Sequence, residues 1–555
     1  MTSMMRGVVH DDGQPKMRLA ACFRPALCST NGVKTATAMV AVLMTVGCGG
    51  DRVEPIAPTP TRASTPQGNE TAVAPDIVVE KEELPPSEQT SVVVEPEPPL
   101  PRLGSVSHFT WIYKNTSRKQ QPIGYVRPGT TVVLDGQEPQ GGSDCQSGRW
   151  YAVRPKGFVC EDGTVTLDVD SPLFVALTEV VRPREHVLPY RYGYSMGAPM
   201  YGRFPSEKER EREAREYGRV DTLSRTEKIK SSYGELAMSD ILPATDPVPV
   251  FATPELPRLR GYTAALVRKT IPSGSLLSFG SAVESEGRTY LLSPDLTWVP
   301  ADRVRPFRET TFHGIELGAQ VRLPIGWTRS VPRAKMRKLQ DGTMEPTGES
   351  WPPRTVLSLT GTVHTSQGKR YHETQEGHWI RDTDVSVVEE KTTLPSTIQP
   401  GQKWIEFSSS RGTLTLYEGK TAIYSTLASP GRGGGAPSSK MSIEDLVQGS
   451  YTPLGTYRIT FKTFSTTMTP EAVPNPKKHW IQDVPYTQYF LRPFAIHTAY
   501  WHEDFGMPKS GGCINLSPQD ARYVFAWTEP VLPQDWSGVS SSPEMGLGTM
   551  LVLRR

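Results

Sequence analysis

The chain has 555 residues, and 61 Lys and Arg against 59 Asp and Glu leave a formal charge of +2. That length predicts several domains at roughly 100–200 residues each, and the near-zero balance excludes a general polyanion binder, which needs cations to displace counterions. Hydrophobic content of 37% with 51 prolines points to a modular chain with linkers, and no apolar run reaches the roughly 20 residues of a membrane-spanning helix.

The first apolar run is Ala36–Val46, with Lys34 before it and Gly47-Cys48-Gly49-Gly50 after it. A positive start, a short apolar core and a small residue before a cut read as a secretory signal over residues 1–48. The cysteine after Thr45-Val46-Gly47 resembles a bacterial lipobox, although Thr45 stands where that pattern usually has leucine. The resemblance implies lipidation of Cys48 and a membrane anchor through it; an unmodified cysteine in an ordinary signal is the alternative. The segment before Lys34 holds Asp11 and Asp12 and no structural pattern, so translation is expected to begin at Met17 or Val33. Cys22 and Cys28 then fall outside the mature protein. Residues 49–104 are rich in Pro, Thr and Glu and lack Phe, Trp and Tyr. Such a segment buries too little area to offset chain entropy and reads as an extended tether.

From residue 105 to about 390, short β runs alternate with Gly, Pro and Asn. Three small β modules are expected at 105–180, 246–308 and 309–392, with apolar alternation such as Val132 and Leu134 facing a core. The second and third modules end alike, in Trp298-Val299 then Asp302 and in Trp379-Ile380 then Asp384. This recurrence resembles bacterial Src-homology-3-like modules, which accompany cell-wall enzymes. Cys145 and Cys160 bracket a hairpin holding Trp150 and Tyr151. In an exported protein such a pair is expected to form a disulfide, worth roughly 3 kcal/mol through loop closure; two free thiols are the alternative. The connector 181–245 contains a charged helix from Ser206, where Glu209 completes a capping box, and reads as a solvated spacer.

The last domain is expected over 400–555. Thr413, Thr415 and Tyr417 alternate with Leu414 and Leu416 before a turn at Glu418-Gly419, and Ser517-Pro518 opens a helix over Gln519–Trp527. His497 ends the apolar strand Phe494-Ala495-Ile496, and Cys513 follows the glycine turn of Ser510-Gly511-Gly512. A thiol with a reference pKa near 8.5 needs an imidazole partner to act as a nucleophile at neutral pH. Gly511 and Gly512 permit unusual backbone angles, and their amides with that of Cys513 can stabilise an oxyanion.

His497, then SGGCINL at Ser510–Leu516, together with TPLGTYRI at Thr452–Ile459, resembles the signature of L,D-transpeptidases of the YkuD family over the last 150 residues or so. The resemblance implies a mainly β catalytic domain in a mainly β, multi-domain chain. It further implies Cys513 as nucleophile, His497 as proton donor and acceptor, and Asn515 with Ser510 in substrate binding. The implied partners are peptidoglycan stem peptides in the cell envelope, with no metal or organic cofactor and no nucleic acid. Two positions depart from the pattern. Gly511 stands where many members have histidine, and Thr498 where many have Gly or Ser. Several other readings compete. Cys513 can be a buried structural thiol, and His502 can replace His497 as base. The triplet His502-Glu503-Asp504 invites a metal, but HExxH is absent. Gly431–Gly435 lacks the lysine of a phosphate loop and reads as a flexible turn. A papain-like order, cysteine before histidine, is reversed here.

Overall fold

The computed structural model describes residues 100–181, 183, 185–217, 244, 246–252, 267–307, 309–434, 437–438, 440–468 and 480–555. The expectations for the signal, for Cys48 and for most of the tether lie outside them. The described chain is mainly β.

The C-terminal domain is built on the predicted hairpin. Lys403–Ser408 pairs antiparallel with Thr413–Glu418 and parallel with Met550–Arg554, which in turn pairs antiparallel with Gly455–Arg458. Gly419, at φ +57°, makes the turn. The helix runs Pro518–Trp527; the Ser517 hydroxyl accepts from the Asp520 N–H and proline occupies the first turn, as the sequence indicated. Its buried Asp520 accepts from Tyr424 and Thr426 hydroxyls at 2.6 Å each and from the Gly314 N–H at 2.7 Å. That convergence ties helix, sheet and the segment before the third module together.

The module boundaries differ from the sequence reading in three places. Arg102–Ser105 is a strand paired with Thr131–Val133, so the tether ends before Arg102 rather than at 104. Arg191–Ser195 and Ala198–Tyr201, expected in the connector, pair with Leu276–Phe279 and Val267–Ile271 and belong to the second module. Ile315–Glu316, expected in the third module, pairs instead with Thr421–Leu427 of the C-terminal domain. Short polar stretches carry too little periodicity to reveal which sheet they join. The first module also ends in an unanticipated helix, Pro172–Val181, burying Phe174, Leu177 and Val181.

The second and third modules do share a device. Trp298–Pro300 and Trp379–Arg381 each lead through one 3₁₀ turn, Ala301–Arg303 and Asp382–Asp384, into a further strand. A disulfide joins Cys145 and Cys160. The charged helix, Glu207–Tyr217, has half of the expected capping box: the Ser206 N–H donates to the Glu209 carboxylate, but the Ser206 hydroxyl donates there too, and the Glu209 N–H goes to the Ser206 carbonyl. It is not a solvated spacer. Glu213 is buried between Arg288 at 2.8 Å and Arg303 at 2.5 Å and accepts from the Tyr201 hydroxyl. One acid on an otherwise polar helix thus docks it, because two desolvated arginines require that carboxylate.

The modules are not separate beads. A 13-stranded sheet runs from second-module strands through Ile481–Leu491, Phe461–Met468 and Gly538–Ser540 of the C-terminal domain into the first module. Asp483 is the junction. It is ion-paired with Arg127 of the first module and accepts from Ser278 of the second at 2.6 Å, while its carbonyl accepts from Tyr192 at 2.8 Å.

Candidate active site

Ile481–Leu491 turns back antiparallel into Phe494–Thr498, which pairs parallel with Ile514–Leu516. In that register Ile496 lies opposite Ile514, and His497 opposite Asn515. Side chains alternate faces along a strand. Ile496 and Ile514 therefore enter the core, where both are fully buried. His497 and Asn515 project to the other face, and Cys513 stands directly before Ile514, at the start of the strand that runs beside that of His497. The fifteen residues between His497 and Cys513 are spanned by this strand pairing.

His497 is buried, and its Nδ1 lies 2.8 Å from the Thr498 carbonyl oxygen. A carbonyl only accepts, so Nδ1 carries the proton and Nε2 presents a lone pair. Burial pushes the imidazole down to about 4, opposed by the Thr498 carbonyl. Cys513 is half-buried, its Sγ 4.0 Å from the Pro493 carbonyl. Burial pushes the thiol up to about 11, against a backbone hydrogen bond from Ala495. Both shifts favour the uncharged forms, a thiol and a free base rather than an ion pair.

The remaining residues divide by what they touch. The Asn515 amide Nδ2 lies 3.2 Å from His502 Nε2, which engages that lone pair. Glu503 goes to Arg354, and Asp504 to Lys509 at 2.6 Å, so the HED triplet is divided among three partners. Three buried polar atoms beside His497 have no hydrogen-bond partner: Thr498 Oγ1, His502 Nδ1 and Asn515 Oδ1. Such atoms cost roughly 1–3 kcal/mol each unless a ligand or solvent meets them. The Ser510 hydroxyl is engaged inside the loop, donating to the Cys513 carbonyl at 2.5 Å and accepting from the Gly512 N–H at 3.0 Å. The Gly512 amide is thereby occupied, although the sequence had placed it among the oxyanion donors.

The Gly431 segment is not a free loop. Gly431 bridges to Ser510, its N–H donates to Thr452 Oγ1 at 2.8 Å, and Arg432 N–H donates to the Ser510 carbonyl. A Cβ on Gly431 would fall 2.1 Å from the Ser450 oxygen and 3.0 Å from Gly512 Cα. The density of glycine was the available signal. Close approach to the Cys513 turn, rather than flexibility, explains it.

The loop between His497 and Cys513 is gripped by both neighbouring modules. Ala499, Tyr500, Trp501 and Phe505 share one buried cluster with Tyr192 of the second module and Trp327 of the third. The Tyr192 and Tyr500 rings lie 4.0 Å apart, and Trp501 sits 6.0 Å from the His497 ring. From the third module, Arg354 donates to the Glu503 carbonyl at 3.0 Å and to its carboxylate at 3.2 Å. Loss of this partly buried double contact, worth about 1 kcal/mol, should lower turnover several-fold in Arg354→Ala. The exchange Arg354→Glu with Glu503→Arg should recover part of it; a steady-state assay showing no change in the single variant would remove the grip from the site.

His502 is also buried and pushed down to about 3, chiefly by desolvation. Both histidines are therefore neutral when folded and titrate at the ordinary 6.5 when unfolded. The unfolded chain binds more protons below that value, so stability falls as pH drops. Between pH 7 and 5, above the carboxylate range, each should cost roughly 2 kcal/mol. Urea midpoints that stay level over this window would refute the burial argument.

Residues 402–543 match the YkuD family of L,D-transpeptidase catalytic domains. Among solved structures, the chain is similar to the L,D-transpeptidase from Mycobacterium smegmatis at 16% identity and TM-score 0.20, over 40% of this chain and 78% of that one. It is similar to L,D-transpeptidase 3 from Mycobacterium tuberculosis, described in complex with a faropenem-derived adduct, at 16% identity and TM-score 0.21, with the same coverages of 40% and 78%. To the L,D-transpeptidase from Xylanimonas cellulosilytica the identity is 17% and the TM-score 0.19, over 29% of this chain and 64% of that one. No relative among curated proteins matches the chain. The C-terminal domain is a YkuD-like L,D-transpeptidase domain, and that assignment rests on the family match.

Proposed function

We propose that the chain is a peptidoglycan L,D-transpeptidase that crosslinks stem peptides through a cysteinyl thioester. His497 Nε2 takes the Cys513 proton as the sulfur attacks the carbonyl between the third-position diamino acid and the terminal D-Ala. The oxyanion is held by the Gly511 and Cys513 amides. The imidazolium returns its proton to the D-Ala amine, which leaves. An acceptor amine then attacks the thioester and gives its proton to His497; the carbon–sulfur bond breaks, His497 returns the proton to the departing Cys513 sulfur, and an amide joins the third residues of two stems. Asn515 orients the peptide beside the base. No step requires a metal or organic cofactor.

The observation that carries this reading is the parallel pairing that sets the strand of His497 beside the strand directly after Cys513, with the Thr498 carbonyl fixing the tautomer a proton acceptor needs. The same proposal places the enzyme in the cell envelope, tethered through lipid on Cys48, with the modules as Src-homology-3-like supports. Intact-mass analysis after incubation with imipenem tests it: one adduct is expected on the wild type and none on Cys513→Ser. An unmodified wild type would mean a non-catalytic wall-binding protein. With a disaccharide tetrapeptide, crosslinked dimer marks a transpeptidase, whereas tripeptide alone marks an L,D-carboxypeptidase.

A further inference from the structure

A cavity of about 230 Å³ lies between the third module and the catalytic domain, lined by Arg329, Ser409, Gly431, Tyr451, Gly506 and Arg555 among others. No acidic side chain lines it; the carboxylate of Arg555 accepts from the Ser408 hydroxyl at 3.2 Å and has no ion pair with Arg329 among the described residues. Through Gly431, which bridges to Ser510, its wall is continuous with the turn that carries Cys513. Two independent features mark it as a receptor for an anion. Arg329 donates only to neutral acceptors, the Ser386 hydroxyl at 2.9 Å and the Ser410 carbonyl at 3.1 Å, leaving guanidinium protons over. Among the described residues no carboxylate pairs with it. Its charged neighbours Arg333 and Arg411 hold Asp384 and Asp382. Desolvation, then the like charges of Arg411 and Arg333, pull the Arg329 pKa down, and Asp382, which is paired with Arg411, offsets this only in part. The second feature is the Ser409 hydroxyl, buried in the same wall without a partner.

We infer that this cavity is a carboxylate subsite, in which Arg329 and Ser409 bind a free carboxylate of the stem peptide. The inference rests on the proposed transpeptidase reading for its substrate. A planar guanidinium suits a carboxylate, which it can meet with two parallel hydrogen bonds. The volume is below the roughly 300–1,000 Å³ of sites for drug-sized molecules, so it suits an end group rather than a whole stem. Arg329 belongs to the third module, so the subsite exists only because that module docks on the catalytic domain. The carboxylate comes either from the donor's terminal D-Ala or from the acceptor stem.

The test uses the full chain and two probes, N-acetyl-D-alanine and its amide, with binding followed by calorimetry. The wild type should prefer the acid by roughly tenfold or more. Arg329→Met should erase the preference, Arg329→Lys should keep part of it, and Ser409→Ala should weaken it a few-fold. Equal binding of acid and amide by the wild type, or no binding of either, overturns the subsite. A preference that survives Arg329→Met does so too. A second arm measures turnover of tetrapeptides ending in carboxylate or carboxamide. Arg329→Met should raise KM for the acid roughly tenfold at constant kcat and leave the amide unchanged. An effect confined to acylation assigns the donor carboxylate, and one confined to aminolysis assigns the acceptor. An equal effect on acid and amide overturns the proposal. If Cys513 never acylates yet the binding preference depends on Arg329, the transpeptidase reading falls and the subsite stands.

Discussion

Cys513→Ala should abolish imipenem acylation and D-Ala release, on the order of 10⁴-fold or more, with the thermal midpoint little changed. The nucleophile is the only group lost. Its sulfur is half-buried, with a 4.0 Å contact to the Pro493 carbonyl, so truncation opens no large core cavity. His497→Ala should cost roughly 10²- to 10⁴-fold, the usual range for a general base. His502→Ala should cost much less, because its Nε2 is engaged by Asn515 and is not free to take a proton. The pH profile is the sharper readout. With the base near 4 and the thiol near 11, acylation should rise as pH climbs through about 4 and then stay level until the thiol ionises. Alkylation by iodoacetamide should correspondingly be slow at neutral pH. A fast neutral alkylation would mean a preformed thiolate–imidazolium pair, and a larger loss in His502→Ala than in His497→Ala would move the base.

Gly512→Ala should be the most damaging change that leaves every catalytic side chain in place. Gly512 sits at φ +127°, and a Cβ there would lie 2.5 Å from Phe494 Cε1 and 2.9 Å from the Tyr451 oxygen. Neither neighbour can yield easily: Phe494 is core, and Tyr451 belongs to the backbone wall beside Gly431. The turn must therefore distort, moving the Cys513 amide from the oxyanion. Displacing one such donor typically costs roughly 10²- to 10³-fold. Gly511 is the control. It is exposed, and a Cβ there meets nothing within 4 Å. Gly511→His, which restores the commoner family residue, should stay within about tenfold, or about 1.4 kcal/mol in the barrier. The second-order constant for imipenem acylation compares the two variants. A crippled Gly511→His beside a healthy Gly512→Ala would reverse the assignment of the two glycines.

The elements that carry the candidate site were legible in one dimension because they are local. An apolar strand ending in His497, a glycine turn before Cys513 and the Ser517-Pro518 helix start each fall within a few residues, and short-range geometry enforces them. Strand periodicity likewise made the hairpin at Glu418-Gly419 readable. Nothing in the residues between His497 and Cys513 disclosed that Tyr192 and Arg354, about 300 and 150 positions away in the chain, would hold that loop. The docking of the charged helix through Glu213 was hidden for the same reason: its arginines lie more than 70 residues downstream. Pairing of Leu276 with Ile481 and of Gly124 with Val539 merged modules that read as separate. Local sequence determines periodicity, turns and caps, because those depend on neighbours along the chain. Which edge strand meets which, and which buried charge finds its counter-charge, is decided only when distant surfaces are desolvated against one another.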